Sequence, residues 1–205
     1  PLAVALPGTA REATEVVALS AAAGVPVVPR GAGTGLSGGA VPPDGAVVMV
    51  TTRLRELGPV DVACGAVRAG PGVLNAAVSR HAAPHELHFA PDPSSQAAST
   101  IGGNIAENAG GPHCLSVGVT GHHLRALSWC DARGYAWDTG PPVALQRGLD
   151  LRSLLCGSEG TLGLVTAAWL QLVPLPRSEQ TLLAAFPALA DASAALPRLL
   201  QAGLL

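Results

Sequence analysis

The chain has 205 residues, 48% of them hydrophobic and 13% charged, with a formal net charge of −2 at pH 7. Such a chain is long enough to bury a sizeable core, but it has no basic surface for nucleic acid and, at 3% aromatic, no platform for stacking bases. No uncharged apolar run reaches the ~18 residues of a membrane span, and the N-terminus lacks a signal peptide's basic-then-apolar layout, so the expected location is the cytoplasm.

In chain order, the first predicted element is an amphipathic helix over residues 9–23. It has apolar Ala13, Val16, Val17 and Ala21, Thr9 as its cap and Gly24 as its stop. A strand over 25–28 follows, then a glycine-rich stretch, PRGAGTGLSGGAVP at 29–42, then a strand over 46–51. The spacing Gly31-x-Gly33-x-Gly35 invites comparison with a dinucleotide-binding turn. Such a turn opens a helix and is followed about 20 residues later by an acidic residue. Here Val41, Pro42, Pro43 and Gly45 lead directly into a β-like run, so the loop joins strand to strand. Taken alone, these glycines also fit a simple tight turn.

From Ala66 the pattern changes to short strands around one helix: a strand over 67–69, a turn at Gly70–Gly72, a helix over 73–81 and an apolar run at 87–90. Residues 91–111, PDPSSQAASTIGGNIAENAGG, then carry only Ile101 and Ile105 as large apolar side chains. A backbone stripped of bulk in this way is suited to approach a ligand and offer it N–H groups; a tether would lack the paired prolines and isoleucines. Two glycine-rich loops in one chain imply a large ligand. Strands over 124–130 and 135–138 flank the turn Asp131-Ala132-Arg133-Gly134, and GSEGTLGLVT at 157–166 leads into a strand ending near Val173. A short strand over 181–186 and an Ala/Leu-rich helix over 188–201, interrupted by Pro197, complete the chain. It begins with Pro1 and ends just past that helix, which reads as a fragment.

Cys64, Cys114, Cys130 and Cys156 have no CxxC spacing, which favours free thiols acting as small hydrophobes over a zinc site. His81, His85 and His88 have spacings that suit metal ligands on one helical face, but Pro84 breaks that helix and favours a partly exposed loop.

The three motifs together, PRGAGTGLSGGAVP, PDPSSQAASTIGGNIAENAGGPHCL and GSEGTLGLVT, resemble the FAD-binding domain of the vanillyl-alcohol oxidase or PCMH type. Within that family the resemblance is greatest to the flavin subunit of glycolate oxidase and to D-lactate and D-2-hydroxyacid dehydrogenases. It runs in one register from Pro1 to about Pro176. It implies an α+β fold, with an FAD-binding domain over 1–176 in two lobes, about 1–57 and 58–176, and the beginning of a truncated substrate cap domain over 177–205. On this pattern Gly31, Ala32, Gly33, Thr34 and Gly35 offer N–H groups to the pyrophosphate. Arg30 either adds a positive charge there or is a surface residue after a strand. Pro91, Asp92, Ser94, Ser95, Ser99, Gly102, Gly103, Asn104 and Ala106 line the ribityl and isoalloxazine portions, while Glu159, Gly160 and Val165 approach the adenine side and the ring edge. Ser95 and Ser99 bond either the ligand or their own backbone. Unobstructed N–H groups of the second loop would stabilise the reduced flavin.

The first loop has no His, so the FAD is expected to be noncovalent, and GGPHCL places His113 near the flavin. His122-His123 and Ser116-Val117 depart from the family's usual residues, and these departures fall on the substrate side. The catalytic residues, and any metal ligands, would belong to the cap and have no counterpart in this chain. The implied activity is oxidation of a small D-2-hydroxy acid such as glycolate or D-lactate, with hydride transfer to the flavin and electrons leaving to a separate acceptor or iron–sulfur subunit. The alternatives are a non-catalytic flavin-binding subunit or remnant that needs a partner or the missing cap, and a structural module that has lost FAD. Membrane attachment through a partner stays open. Against the structural module stand the intact glycines: a Cβ at each would be penalised by a close ligand.

Overall fold

The structure, a computed structural model, describes residues 1–140 and 149–203. It divides into two compact units, Pro1–Pro174 and Leu175–Leu205.

The first unit opens with β1 (Ala3–Ala5), α1 (Ala10–Ala22), β2 (Val27–Arg30) and β3 (Val47–Val50). Thr9 caps α1, its hydroxyl accepting from the Glu12 N–H at 3.1 Å, and Glu12 reaches back to the Gly8 N–H at 2.7 Å. The three strands form a sheet in the order β1-β3-β2 with both pairings parallel. Parallel neighbours need a long return path. Between β2 and β3 that path is residues 31–46, so the first glycine-rich stretch leaves the carboxyl end of a parallel strand with no helix in it, as expected.

The second sheet is antiparallel throughout. Its strands are β4 (Leu57–Asp61), β5 (Ala66–Ala69), β7 (Leu124–Cys130), β8 (Ala136–Asp138) and β9 (Leu164–Gln171), in the order β4-β5-β9-β7-β8. A short pair, β6 (Leu87–His88) with β10 (Val173–Pro174), is antiparallel as well. The helices are α2 (Asn75–Ala82), α3 (Ile101–Glu107), α4 (Cys114–Val117) and α5 (Leu151–Leu155).

The main core packs Val67, Leu127 and Leu170 of the sheet against Val78 of α2 and Ile101 and Ile105 of α3. A second core gathers Ala13 and Val17 of α1, Met49 of β3, and Cys130 and Leu164 from the large sheet. The expected lobes therefore share a core. Gly134, at φ +85° in the β7–β8 turn, lies close enough to α1 that an added Cβ would meet Ala18 Cβ at 2.7 Å. Burial pushes the thiols of Cys130 and Cys156 up to about 11, in keeping with small packed hydrophobes.

In the second unit α6 (Leu189–Gln201) continues through Pro197 instead of stopping there. Proline removes one N–H, and the flanking turns carry the helix on. Residues 181–186 form no strand, since an extended run without a partner strand gains no ladder. Among the described residues no helix is long and apolar enough to cross a membrane.

Candidate functional site

The first unit contains a cleft of about 360 Å³ whose walls come from three separate parts of the chain. One wall is the loop after β2. Among the described residues, none of the ten backbone N–H groups from 31 to 40 donates a hydrogen bond to the protein, whereas buried or ordered backbone elsewhere is extensively paired. Gly31, Ala32, Gly33, Thr34 and Gly35 all line the cleft. Gly33 and Gly38 have φ of +74° and +86°, which lets successive N–H groups turn toward one side. The exposed Arg30 side chain lies against Gly33 and also lines the cleft.

The opposite wall is α3, the largest departure from the sequence reading, which treats 91–111 as one loop. Thr100 is the cap, its hydroxyl accepting from Gly103 N–H, and Asn108 ends the helix at φ +49°. The early amides of α3 are already used: Ile101 N–H donates to Val73 O at 2.8 Å, and Gly102 N–H to Pro71 O at 2.8 Å. The first turn of α3 is therefore not a source of unobstructed N–H groups. What it offers is a side chain. Asn104 is only 2% exposed, lines the cleft, and its Nδ2 has no hydrogen-bond partner among the described residues. A buried amide left without an acceptor costs roughly 1–3 kcal/mol, so a cleft ligand with an acceptor oxygen or nitrogen fits it. Ser95, Gly102, Gly103 and Ala106 line this wall too.

The third wall is Glu159, Gly160 and Val165, with Leu155 and Leu164. Gly157 N–H and Glu159 N–H donate to Ile105 O and Ala106 O, both at 2.8 Å, fastening this segment to the last carbonyls of α3. Glu159 takes φ +53° to do so. The acidic and basic side chains lining the cleft are Arg30, Glu107 and Glu159, so a pyrophosphate there would meet one cation, two carboxylates and the backbone dipoles of the loop.

Pro91, Asp92, Ser94 and Ser99 lie outside the cleft lining. Pro91 is buried, and its carbonyl accepts from Asn75 Nδ2 at 3.0 Å. Asp92 pairs through Oδ2 with His113 Nδ1 at 2.5 Å, and neither residue lines the cleft. Ser94 is exposed, and Ser99 is 3% exposed with its hydroxyl unpaired. Sequence reading missed Thr51, Pro71, Thr100 and Glu107, which also line the cleft. A capping signal, Thr100 before Ile101 with Asn108 as an αL stop, was present to find Thr100; Thr51 and Pro71 come from distant turns with no local signal. His81, His85 and His88 fall on α2, a 3-10 turn and β6, and His81 Nε2 bonds Gly58 O at 2.9 Å.

The glycines divide by cause. An added Cβ at Gly31 would strike the Thr100 hydroxyl, and at Gly102 it would meet Pro71 Cβ at 2.7 Å, so the protein's own packing requires both. At Gly103 the same Cβ meets only Thr100 Oγ1, at an ordinary 3.4 Å. The cradle of unpaired amides, the orphaned Asn104 amide and the open side of Gly103 together fit a phosphate-bearing cofactor with polar ring atoms.

Several known proteins are similar to this chain in sequence. The glycolate oxidase subunit GlcD of Escherichia coli strain K12 is 42% identical over all 205 residues, which span 41% of its length. The D-lactate dehydrogenase of Archaeoglobus fulgidus is 36% identical over 92% of this chain and 42% of its own, and the D-2-hydroxyglutarate dehydrogenase of Xanthomonas citri is 36% identical over 91% and 40%. The chain thus spans about two fifths of these relatives. A solved structure of alkyldihydroxyacetonephosphate synthase superposes with a TM-score of 0.81 over 98% of this chain and 37% of its own, and at 22% identity it speaks for the fold alone. Residues 1–140 match the family described as FAD binding domain, and the chain, an α+β protein of the PCMH type with FAD as its cofactor, belongs to that family.

Proposed function

We propose that this chain is the FAD-binding part of an oxidoreductase that oxidises a small D-2-hydroxy acid such as glycolate or D-lactate. The observation that carries the reading is the cleft itself: the β2 loop, whose amides donate to no protein acceptor among the described residues, and the orphaned Asn104 amide both line one glycine-rich gap. The names of the relatives supply the class of substrate. The domain boundaries follow the same reading, with FAD binding over 1–176 and the start of a substrate cap over 177–205.

Within the cleft, the amides of Gly31, Ala32, Gly33, Thr34 and Gly35, with Arg30, would hold the pyrophosphate. Gly102, Gly103, Ala106 and Ser95 would shape the flavin wall, and Glu159, Gly160 and Val165 would close the far side. Pro91, Asp92, Ser94 and Ser99 would brace it from behind. Asn104 Nδ2 would supply a donor where the first amides of α3 are already bonded. Bound flavin would accept a hydride from the substrate and pass electrons on to a separate acceptor. The residues lining the cleft include neither His nor Cys, which supports noncovalent binding. A cytoplasmic location, with an iron–sulfur subunit as electron acceptor and any membrane contact made through such a partner, completes the reading.

A second reading is a non-catalytic flavin-binding subunit that needs a partner or a substrate cap for activity. The test is the near-ultraviolet and visible spectrum of the purified chain, before and after denaturation and filtration. Twin flavin bands that pass the filter are expected. A colourless protein that also refuses added FAD overturns the assignment. Bleaching by glycolate or D-lactate in the absence of oxygen separates the catalytic reading from the second.

A further inference from the structure

We propose that Glu107 is a positioning residue for the dinucleotide loop: its carboxylate clamps Ser37, keeps residues 31–40 against the cleft, and thereby slows the release of FAD. The inference rests on the reading of the cleft as an FAD site. Ser37 Oγ lies 2.8 Å from both Oε1 and Oε2 of Glu107, across 70 residues of sequence. Among the described residues these are the only hydrogen bonds that any side chain of 31–40 makes, and the backbone N–H groups of that stretch make none. The same carboxylate also lies near Gly35, where an added Cβ would sit 3.1 Å from Glu107 Oε1.

The helix itself does not ask for this residue. Glu107 is the last residue of α3, where the helix dipole presents its negative end and a carboxylate is unfavourable. It is exposed, so burial does not hold it there either. What its position achieves is a charge-assisted hydrogen bond to an otherwise untied loop. A loop ordered before the ligand arrives saves the ordering cost on binding, and such gains appear chiefly in the dissociation rate. Because the single Ser37 proton is directed at the carboxylate, Ser37 acts by holding the loop and leaves the phosphate to the backbone.

The test compares wild type with Ser37→Ala, Glu107→Ala, the double variant and Glu107→Gln in two measurements. The first, without FAD, is chymotryptic cleavage after Leu36, which is fully exposed beside Ser37. The second is the release rate of bound FAD, followed by recovery of flavin fluorescence. Both single alanine variants are expected to be cut several-fold faster and to release FAD about tenfold faster, in keeping with the loss of one hydrogen bond to a charged group. The double variant is expected to match the singles, and Glu107→Gln, which keeps an acceptor oxygen but loses the charge, to fall between wild type and Glu107→Ala. Unchanged rates, additive effects in the double variant, or faster cutting with unaltered release each overturn the proposal. A wild-type chain that takes up no FAD removes the FAD reading, and with it control of release, while the cleavage measurement still decides whether the clamp exists.

Discussion

Gly103 is the position at which ligand and fold separate. Its added Cβ meets only Thr100 Oγ1 at 3.4 Å, and replacing a helical glycine tends to favour the helix. Gly103→Val is therefore expected to leave the circular dichroism spectrum and thermal midpoint near wild type while weakening FAD binding at least tenfold; full FAD retention would remove Gly103 from the cofactor wall. Gly33→Val is different, because φ is +74° there and a β-branched residue in that region costs about 1–2 kcal/mol before any ligand is considered. It should lose stability and FAD together. At Gly31 and Gly102 the collision is with Thr100 and Pro71, 69 and 31 positions away in the sequence. The reading that a ligand alone penalises a Cβ at all these glycines fails for that reason: the partners that demand them lie far along the chain.

At the scale of elements, α3 was the least legible. Gly102, Gly103 and Asn104 are poor helix formers, and the run reads as loop unless its two ends are weighed. Thr100→Ala removes the cap and should cost about 1 kcal/mol, measured as a shift in denaturation midpoint. By contrast α1 was legible from its period and its Thr9 cap, because those signals are local. The strand expected over 181–186 misled because extended propensity says nothing about whether a partner strand exists. At α5, the Arg152 side chain, hydrogen-bonded to Asp150 and reaching the carbonyls of Leu124 and Arg125, holds the Asp150 carboxyl down from 3.8 to about 2. Because the folded value is depressed, this contribution is present above the unfolded value and is lost as pH falls from about 4 toward 2. Asp150→Asn should flatten that part of the acid-denaturation curve, and an unchanged curve would show that Asp150 contributes nothing to it.

For the whole molecule, the sheet order was the part that sequence could not give. β5 pairs with β9 across about a hundred residues, Ala66 facing Gln171, and no local pattern announces such a match. The two units are separately compact, so a chain ending at Pro174 is expected to bind FAD as the full chain does; loss of uptake would place residues 175–205 among those the cofactor needs. The cleft, however, belongs to no single stretch: its walls come from the β2 loop, α3 and the segment fastened behind it, which only the folded state brings together. A ligand spanning all three acts as a noncovalent brace. At about one hundred times its dissociation constant, FAD would add about 2.7 kcal/mol to stability, and the melting temperature should climb with dose. The abundance of the protein would then follow the supply of flavin, since chains without it would unfold more often and be cleared sooner.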